Sequence, residues 1–296
     1  RYPVKSGFLR RVTARIHAVE DVSFSLFPGE TLALVGESGC GKSTVGRSVL
    51  RLETPQDGRV TLADKDLLAL NEADLREARR DMQMIFQDPY ASLVPRLKIS
   101  AQVTEPSRNF DIGTHEARAI QAAELLDRVH LPRSYLDRYP HQLSGGERQR
   151  AAIARALALE PKLIVADEPL SALDVSVPAR VLDLMQDLQR DLGIAYLFIS
   201  HDMAVVERIS HRVAVMYMGR IVEIGPRDAV FERPQHPYTR ALLSAVPVPD
   251  PTKRRTSVPE FKPVPSPLHD LGHQPERSVY EEVAPGHRVL ITDCGY

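Results

Sequence analysis

The sequence is organised around the loop Gly36-Glu37-Ser38-Gly39-Cys40-Gly41-Lys42-Ser43-Thr44. Before it lies an apolar run, Thr31 to Val35, which predicts a buried strand, and after it Val45 to Leu52, which predicts a helix. In this context the spacing G-x-x-x-x-G-K-[ST] indicates a phosphate-binding site. The alternative is a glycine-rich turn that binds nothing, and the flanking strand and helix argue against it.

The chemistry expected of this loop is local. Glycines allow successive backbone N–H groups to point into one concavity, and the following helix adds its positive N-terminal end. Lys42 is predicted to place a charge beside the β- and γ-phosphates, and Ser43 to offer a hydroxyl to Mg²⁺, which needs few protein ligands. Cys40 has two interpretations: a small residue that fills its place, or a reactive thiol whose pKa is lowered at the helix N-terminus.

Composition narrows the class of protein. The chain has 296 residues, 43% hydrophobic and 26% charged, which is ordinary for a soluble globular protein. The net charge of −1 gives no sign of a nucleic-acid partner, and none is expected. The two cysteines, Cys40 and Cys294, predict neither a disulfide framework nor a zinc cluster, so a reducing compartment is expected. Because the chain begins at Arg1, we expect a fragment, a processed product or the later half of a longer protein.

Polar residues end three of the predicted core strands. The strands are Asp81 to Phe86, followed by Gln87; Leu163 to Ala166, followed by Asp167 and Glu168; and Ala195 to Ile199, followed by Ser200 and His201. Each residue alone is more often a strand-ending or surface residue. Together they indicate a site, because ligands of open α/β sheets lie beyond the carboxyl ends of the strands. An acid there can hold Mg²⁺, and the next carboxylate can orient or deprotonate a water.

A second anion-binding pattern follows a predicted helical region. Residues 101–140 are mostly helical by period and interrupt the α/β pattern, which predicts a helical subdomain, from about residue 88 to residue 150, inserted into the core. It closes with Leu143-Ser144-Gly145-Gly146-Glu147-Arg148-Gln149-Arg150, which runs into a predicted helix from Ala151 to Leu159. A Ser-Gly-Gly step at a helix start is itself an anion-binding terminus. Two such sites for one nucleotide need an explanation.

The ends of the chain carry weaker signals. Near the N-terminus, residues 5–15 are predicted to form a basic loop and residues 19–26 a strand, and Tyr2 and Phe8 are candidates to stack on a base. Further on, a hairpin is predicted around Gly219. Seven prolines between residues 247 and 267 predict an extended, weakly ordered C-terminal extension, residues 247–296.

In their order and spacing, these motifs resemble those of the ATP-binding subunits of ABC transporters. The matching segments are the loop Gly36 to Thr44, Gln87, Leu143 to Gln149, Leu163 to Glu168, Ser171 to Asp174, and His201. Two further segments, Phe86 to Leu93 and His236 to Thr239, resemble the peptide-importer branch, which serves oligopeptide, dipeptide and nickel systems. Residues 188–247 are most similar to the second cassette of tandem ATP-binding proteins of glutathione import, which would account for the start at Arg1.

The resemblance implies an α/β fold: a P-loop NTPase core of the ABC type with a mixed sheet, an inserted helical subdomain and a small antiparallel β piece. It implies an ABC ATPase domain over residues 1–246. It also implies that Tyr2 stacks on adenine, with Phe8 as a rival, and that Gly36 to Thr44 hold the phosphates of ATP. Lys42 is implied to be one of the catalytic residues.

Further roles carried by the resemblance concern the metal and the reaction. Ser43, Gln87 and Asp167 are implied to be the Mg²⁺ ligands, Glu168 the general base, and His201 the residue that contacts the γ-phosphate. Gln87 is also implied to sense the permease. With Lys42, the implied catalytic set is therefore Gln87, Glu168 and His201.

The second anion-binding pattern is explained by a facing cassette. The resemblance implies that Ser144, Gly145, Gly146 and Glu147 form a signature that acts on the nucleotide of the opposite cassette, with Asp174 at the seam between the two. Two departures stand out. Glu147 occupies a position where Gln is commonest, and we expect it to be tolerated. Many peptide-importer ATPases end in a cysteine cluster that binds an iron–sulfur centre, whereas this sequence has only Cys294 in that region, so no cluster is expected.

The implied function is ATP hydrolysis that powers the import of peptides, glutathione among them. The implied partners are a second ABC cassette, identical or from a first half, two transmembrane permease subunits and, indirectly, a periplasmic solute-binding protein. The implied location is peripheral, on the cytoplasmic face of the bacterial inner membrane. The alternative is a soluble ABC ATPase without a transport role; the long coiled-coil insertions or arms typical of that class are not seen in the sequence.

Overall fold

The structure of the protein, a computed structural model, describes residues 1–6, 11–171, 173, 177–245 and 268–292. These residues belong to two compact units. The first unit comprises Arg1–Ser25, Leu32–Gly58 and Ser200–Tyr296, and the second comprises Leu26–Thr31 and Arg59–Ile199.

Strands and helices follow one another along the described part of the chain. The strands are β1 (Tyr2–Ser6), β2 (Arg11–Ile16), β3 (Thr31–Val35), β4 (Thr61–Leu62), β5 (Lys65–Asp66), β6 (Met82–Ile85), β7 (Leu163–Asp167), β8 (Ala195–Ser200), β9 (Arg212–Tyr217), β10 (Arg220–Pro226), β11 (Leu268–Asp270), β12 (Tyr280–Ala284) and β13 (His287–Leu290). The helices are α1 (Lys42–Val49), α2 (Glu72–Ala78), α3 (Pro89–Ser92), α4 (Ile99–Val103), α5 (Glu105–Asn109), α6 (His115–Arg128), α7 (Gly145–Leu157), α8 (Pro178–Leu192), α9 (Met203–Ile209), α10 (Arg227–Glu232) and α11 (Pro237–Ser244). Short 3-10 helices span Arg133–Asp137 and Pro140–Gln142.

The first unit is built on a mixed sheet. Its strands lie in the order β12, β13, β10, β9, β3. Strand β3 pairs with β9 in parallel, whereas β9, β10, β13 and β12 pair with one another antiparallel. Every residue of β3 is buried, as expected for a strand covered on both faces. The mixed sheet and the hairpin around Gly219 agree with the prediction from sequence.

The second unit combines a parallel sheet with helices. Strands β6, β7 and β8 pair in parallel, so their carboxyl ends lie at one edge. Helices α3 to α7 separate β6 from β7 in the chain, in the region where the sequence predicts an inserted helical piece. Within that region α7 packs against α4 and α6, and their shared core includes Ile99, Leu126 and Ile153, all fully buried. This packing fixes the position of α7 relative to α4 and α6.

Three predicted elements near the N-terminus differ from the structure. Helix α1 begins at Lys42 rather than Val45, because the last residues of the glycine loop already form its first turn. Residues 5–15 are not a loop: the described part of this region pairs as the antiparallel strands β1 and β2. Residues 19–26 form no strand, and Asp21 has a left-handed backbone (φ 51°), which interrupts an extended chain.

The prediction that residues 247–296 form a weakly ordered extension is wrong for residues 268–292. Strand β11 pairs with β2, and the hairpin of β12 and β13 extends the first unit's sheet beyond β10. The hairpin is held by apolar contacts, since Val289 and Leu290 are buried and Tyr280 packs against the core. The boundary of the ATPase domain at residue 246 remains a prediction, and residues 246–267 lie outside the described ones.

Candidate nucleotide site

The glycine loop of the first unit joins β3 to α1 with an unusual backbone. Gly36 and Gly41 have φ values of 149° and 109°, which L side chains rarely adopt. A Cβ at Gly36 would lie 2.1 Å from the Met216 carbonyl oxygen, and one at Gly41 would lie 2.0 Å from that of Ala18. Neither glycine can therefore be replaced without moving the backbone, and the loop keeps the tight curvature that a phosphate cradle requires.

Lys42 is the first residue of α1, and its side chain folds back over the loop. The ammonium donates hydrogen bonds to the carbonyl oxygens of Gly36 and Glu37, both at 2.7 Å, and lies 3.8 Å from Cys40 Sγ. Only 5% of the residue is exposed. A positive charge is thus fixed beside the helix N-terminus, where the helix dipole adds to its attraction for an anion.

The structure decides between the two interpretations of Cys40. Its side chain is buried, and burial raises the pKa of the thiol above its usual value, an effect that the nearby charge of Lys42 and hydrogen bonds only partly offset. A thiol with a raised pKa carries less thiolate, which is the nucleophilic form. The hypothesis of an activated cysteine is therefore wrong, and the interpretation as a small buried residue stands.

Tyr2 lies close to the same helix. Its hydroxyl donates a hydrogen bond to the Glu53 carboxylate and lies 3.4 Å from Thr44 Oγ1, in the first turn of α1. The residue is exposed, so its ring is accessible beside the loop. Stacking of Tyr2 on adenine stays a prediction, and its rival Phe8 lies outside the described residues.

In the second unit, the residues after β6 and β7 come together. Gln87 Nε2 donates a hydrogen bond of 3.0 Å to Glu168 Oε2, as expected for residues that follow neighbouring parallel strands. Asp167, the last residue of β7, is buried. Glu168 has a left-handed backbone (φ 45°), and its N–H donates to the Ile199 carbonyl oxygen at 2.9 Å. A non-glycine residue in this conformation costs about 1–3 kcal/mol, and such residues cluster at functional sites.

His201 follows β8 and is assigned to the first unit. The backbone around it is fixed, because Ser200 Oγ accepts from the Asp202 N–H at 3.0 Å. Asp202 in turn caps α9, accepting from the N–H groups of Ala204 and Val205. The imidazole of His201 is exposed at this turn. Its contact with a γ-phosphate remains a prediction.

In the second unit, the signature residues Ser144 to Glu147 form a capping box at the N-terminus of α7. Ser144 caps α7: its Oγ accepts from the Glu147 N–H, and Glu147 Oε2 accepts from Ser144 N and Ser144 Oγ, each at 2.8 Å. Gly145 and Gly146 form the first turn of the helix. A Cβ at Gly146 would lie 2.4 Å from Val177 Cγ1, so this position requires glycine unless Val177 moves. Asp174, predicted at the seam, lies outside the described residues.

The structure gives a local reason for glutamate at position 147. Besides the two hydrogen bonds from Ser144, Glu147 Oε1 accepts from the Tyr135 hydroxyl at 2.9 Å. Burial would raise the pKa of Glu147, but these hydrogen bonds outweigh it and hold the pKa below its usual value. A carboxylate is the group that can accept from three donors at once. Tyr135 belongs to no motif, so no pattern in the sequence indicates its role.

The donor chemistry of the predicted metal ligands suits Mg²⁺. Ser43 offers a hydroxyl, Asp167 a carboxylate and Gln87 an amide oxygen, so the set consists of the hard oxygen ligands that Mg²⁺ prefers.

No helix among the described residues is both long and apolar enough to cross a membrane.

Two family profiles match the chain. The profile described as ABC transporter matches residues 19–171, and that described as the C-terminal region of oligopeptide/dipeptide transporters matches residues 222–271. Among curated proteins, the glutathione import ATP-binding protein of Pectobacterium atrosepticum is 56% identical over 290 residues, covering 98% of this chain and 46% of that protein. Its counterpart from Escherichia coli K12 is 56% identical over 297 residues, covering 100% and 48%. The chain thus spans about half the length of the curated relatives it matches.

Among solved structures, a similar one is an ATP-binding cassette in a dimeric, post-hydrolysis state bound to ADP and Pi. It is 30% identical with a TM-score of 0.64, and the match covers 71% of this chain and 90% of that one. The mixed sheet with a glycine loop and flanking helices is therefore the fold of such cassettes, as the sequence predicts.

Proposed function

The chain belongs to the ABC transporter family, and on that premise we propose that it binds and hydrolyses ATP to power the import of peptides through a bacterial inner-membrane transporter. Glutathione is the first substrate to test, because the chain is similar to glutathione import proteins along its length. These relatives favour the importer over a soluble ABC ATPase without a transport role.

The phosphate loop is the main support for this proposal. Its backbone curvature requires Gly36 and Gly41, and the Lys42 ammonium lies against its carbonyls at 2.7 Å. A concave backbone, a fixed cation and a helix N-terminus favour a polyphosphate. Ser43, Asp167 and Gln87 would hold the Mg²⁺ of MgATP, and the bound ion supplies charge neutralisation at the β- and γ-oxygens.

Glu168 is the proposed general base. Phosphoryl transfer needs mainly positioning and charge stabilisation, so the base must hold one orientation. The hydrogen bond from Gln87 and the backbone bond to Ile199 restrain Glu168 in that way. In the proposed reaction Glu168 orients and accepts a proton from the attacking water, Lys42 binds the β- and γ-phosphates, and His201 contacts the γ-phosphate.

A facing cassette completes the proposed site. Ser144 to Glu147 would act on the nucleotide held by the opposite cassette, which accounts for a second anion-binding terminus in one chain. The similar cassette bound to ADP and Pi is dimeric. We propose a head-to-tail pair, formed with a copy of this chain or with a first-half partner, which closes on two MgATP as a population shift.

The remaining partners follow from the importer assignment. We propose two permease subunits contacted near Gln87, a periplasmic solute-binding protein acting indirectly, no nucleic acid, and a peripheral location on the cytoplasmic face of the inner membrane. Copurification with two hydrophobic permease subunits would separate this assignment from a soluble ATPase. We also propose that no iron–sulfur centre is bound; iron in the purified protein together with a broad visible absorbance would contradict this.

Replacement of Glu168 by Gln tests the proposed reaction. Turnover should fall by about 10²–10⁴-fold, the usual contribution of a general base, while MgATP binding is retained and nucleotide-bound dimers accumulate. The measurements are steady-state ATP hydrolysis and size-exclusion chromatography with MgATP.

One further variant serves as a control, and another tests the phosphate loop. Glu160→Gln changes an exposed glutamate that also has a left-handed backbone (φ 52°), and it should hydrolyse ATP normally. Lys42→Ala should lose nucleotide binding. Normal hydrolysis by Glu168→Gln would reject the general-base assignment, and unchanged binding by Lys42→Ala would reject the phosphate-loop assignment.

A further inference from the structure

The segment His236-Pro237-Tyr238-Thr239 has a role that its resemblance to a transporter branch does not explain. Tyr238 lies in the first turn of α11 and is only 1% exposed. Its hydroxyl accepts a hydrogen bond of 3.0 Å from the backbone N–H of Glu37, in the phosphate loop. Both residues belong to the first unit, and they lie 201 positions apart in the chain.

The hydrogen bond reaches one particular peptide group. The N–H of Glu37 and the carbonyl of Gly36 belong to the same peptide unit, and that carbonyl accepts from Lys42 Nζ at 2.7 Å. A peptide unit is planar and stiff, so fixing its N–H also fixes the direction of its C=O. Tyr238 therefore orients the carbonyl against which the Lys42 ammonium rests.

Tyr238 is held firmly enough to act in this way. Its ring belongs to the buried cluster that contains Ala33 and Val35 of β3, and its centroid lies 4.4 Å from that of Tyr217. Burial raises the pKa of Tyr238 well above its ordinary value, so the hydroxyl stays neutral at every pH the protein would meet. The acceptor is thus rigid and does not titrate.

The start of α11 is also fixed by hydrogen bonds. His236 Nδ1 accepts from the Tyr238 N–H at 3.2 Å. The fully buried carboxylate of Glu223 accepts from the N–H groups of Gln235 and His236, both at 2.9 Å. These bonds use the donors that a helix N-terminus otherwise leaves unpaired, so they fix where the helix begins.

Resting on the function proposed above, we propose that Tyr238 is a positioning residue of the nucleotide site, which sets the Gly36–Glu37 peptide and through it the Lys42 ammonium. Because Tyr238 is buried, it would act through Lys42 and not by touching the phosphates or the reacting water. We therefore expect a change at Tyr238 to alter the affinity for nucleotide, because Tyr238 orients Lys42.

Tyr238→Phe tests the proposal, because it removes the hydroxyl and keeps the ring that fills the core. The matched control is Tyr280→Phe: Tyr280 packs against the same cluster, and its hydroxyl donates to a backbone group, the Ile221 carbonyl oxygen, at 2.7 Å. The control hydroxyl has its bond outside the phosphate loop. The first readout is the dissociation constant for MgATP, measured on the purified chain by calorimetry beside the urea midpoint of each variant.

Loss of one neutral hydrogen bond predicts affinity about 3- to 10-fold weaker for Tyr238→Phe. Tyr280→Phe should stay within about twofold of the wild type in MgATP affinity, although its urea midpoint should also fall, since each change removes a hydroxyl that is hydrogen-bonded in the fold. Equal MgATP affinity in Tyr238→Phe and the wild type would overturn the proposal. So would an equal loss in Tyr280→Phe, because the effect would then follow stability alone.

Amide hydrogen exchange supplies a second readout that needs no nucleotide. In Tyr238→Phe, fragments spanning residues 32–44 should exchange several-fold faster than in the wild type and in Tyr280→Phe, because the Glu37 N–H has lost its acceptor. Unchanged exchange in these fragments would overturn the proposal. If the wild type itself fails to bind MgATP, the proposed function is wrong, and the exchange experiment still decides whether Tyr238 holds the loop.

Discussion

Individual residues at this site are set by very local demands. Glu168 adopts a left-handed backbone that its own side chain disfavours, and the bonds to Ile199 and Gln87 keep it there. The Glu147 carboxylate accepts three hydrogen bonds, two from Ser144 at the cap of α7 and one from the Tyr135 hydroxyl. In both cases the immediate neighbours of the residue account for its identity or conformation.

Gly146 leads to a prediction at this scale. Gly146→Ala should lower the free energy of unfolding by about 1–3 kcal/mol, because the new methyl group overlaps the stiff, β-branched side chain of Val177. Adding Val177→Ala makes room for it, so the double variant should be more stable than the sum of the two single changes predicts. The measurement is urea unfolding of the four proteins.

The control is Gly272→Ala, since a Cβ at Gly272 would meet no atom within 4 Å. Its unfolding free energy should stay within about 0.5 kcal/mol of the wild type. Strict additivity of Gly146→Ala and Val177→Ala would show that the two side chains do not collide.

At the scale of elements, one buried carboxylate joins three parts of the first unit. Glu223 lies on β10; it accepts from the backbone before α11 and pairs with His287 Nε2 of β13 at 2.7 Å. Both side chains are almost wholly buried. The sequence predicts the hairpin that contains β10, but no pattern in it indicates that a strand 64 residues later supplies the partner.

His287→Ala should therefore destabilise the protein strongly. It removes the Nε2 partner of the buried Glu223 carboxylate, and breaking a buried pair in this way costs about 3 kcal/mol. Urea unfolding measures the loss. The control Glu281→Ala removes an exposed side chain from the neighbouring strand β12 and should change stability by less than about 0.5 kcal/mol. A His287→Ala protein as stable as the control would mean that Glu223 does not depend on β13.

At the scale of the whole molecule, the titration of buried and partly buried histidines couples stability to pH. Burial is the main cause that lowers the pKa of His17, His236 and His269 below the usual 6.5. As the pH falls below 6.5, these groups take up protons more readily in the unfolded chain than in the folded one. The free energy of unfolding should therefore fall between about pH 7.5 and pH 5.5.

His236→Asn isolates one of these groups. Asn keeps a side-chain acceptor for the Tyr238 N–H but does not titrate, so the decline of stability with falling pH should be shallower than in the wild type. Urea midpoints at a series of pH values provide the measurement. Stability that rises as the pH falls across this window would contradict the assignment of buried, neutral imidazoles.

Much of the fold and of the site follows from neighbours within a few residues. The glycine loop between an apolar run and a helix, the cap at Ser144 and the polar ends of β6 and β7 are all short-range signals. They suffice to predict the cassette fold, the glycine loop between β3 and α1, and that residues following β6 and β7 lie near one another, as Gln87 and Glu168 do. Several local inferences failed: burial, not the helix dipole, controls the Cys40 pKa, the described part of residues 5–15 pairs as strands, and residues 19–26 form no strand.

The sequence by itself determined the family, the order of the motifs and the loop that is proposed to bind phosphate, because these depend on residue types at fixed short spacings. Only the tertiary structure decided that residues 268–292 pair as strands, that His287 meets Glu223 and that the Tyr238 hydroxyl holds the Glu37 amide. Each of these contacts joins segments far apart in the chain. Their partners are chosen by packing and by the need to satisfy buried polar groups, and no local pattern encodes either.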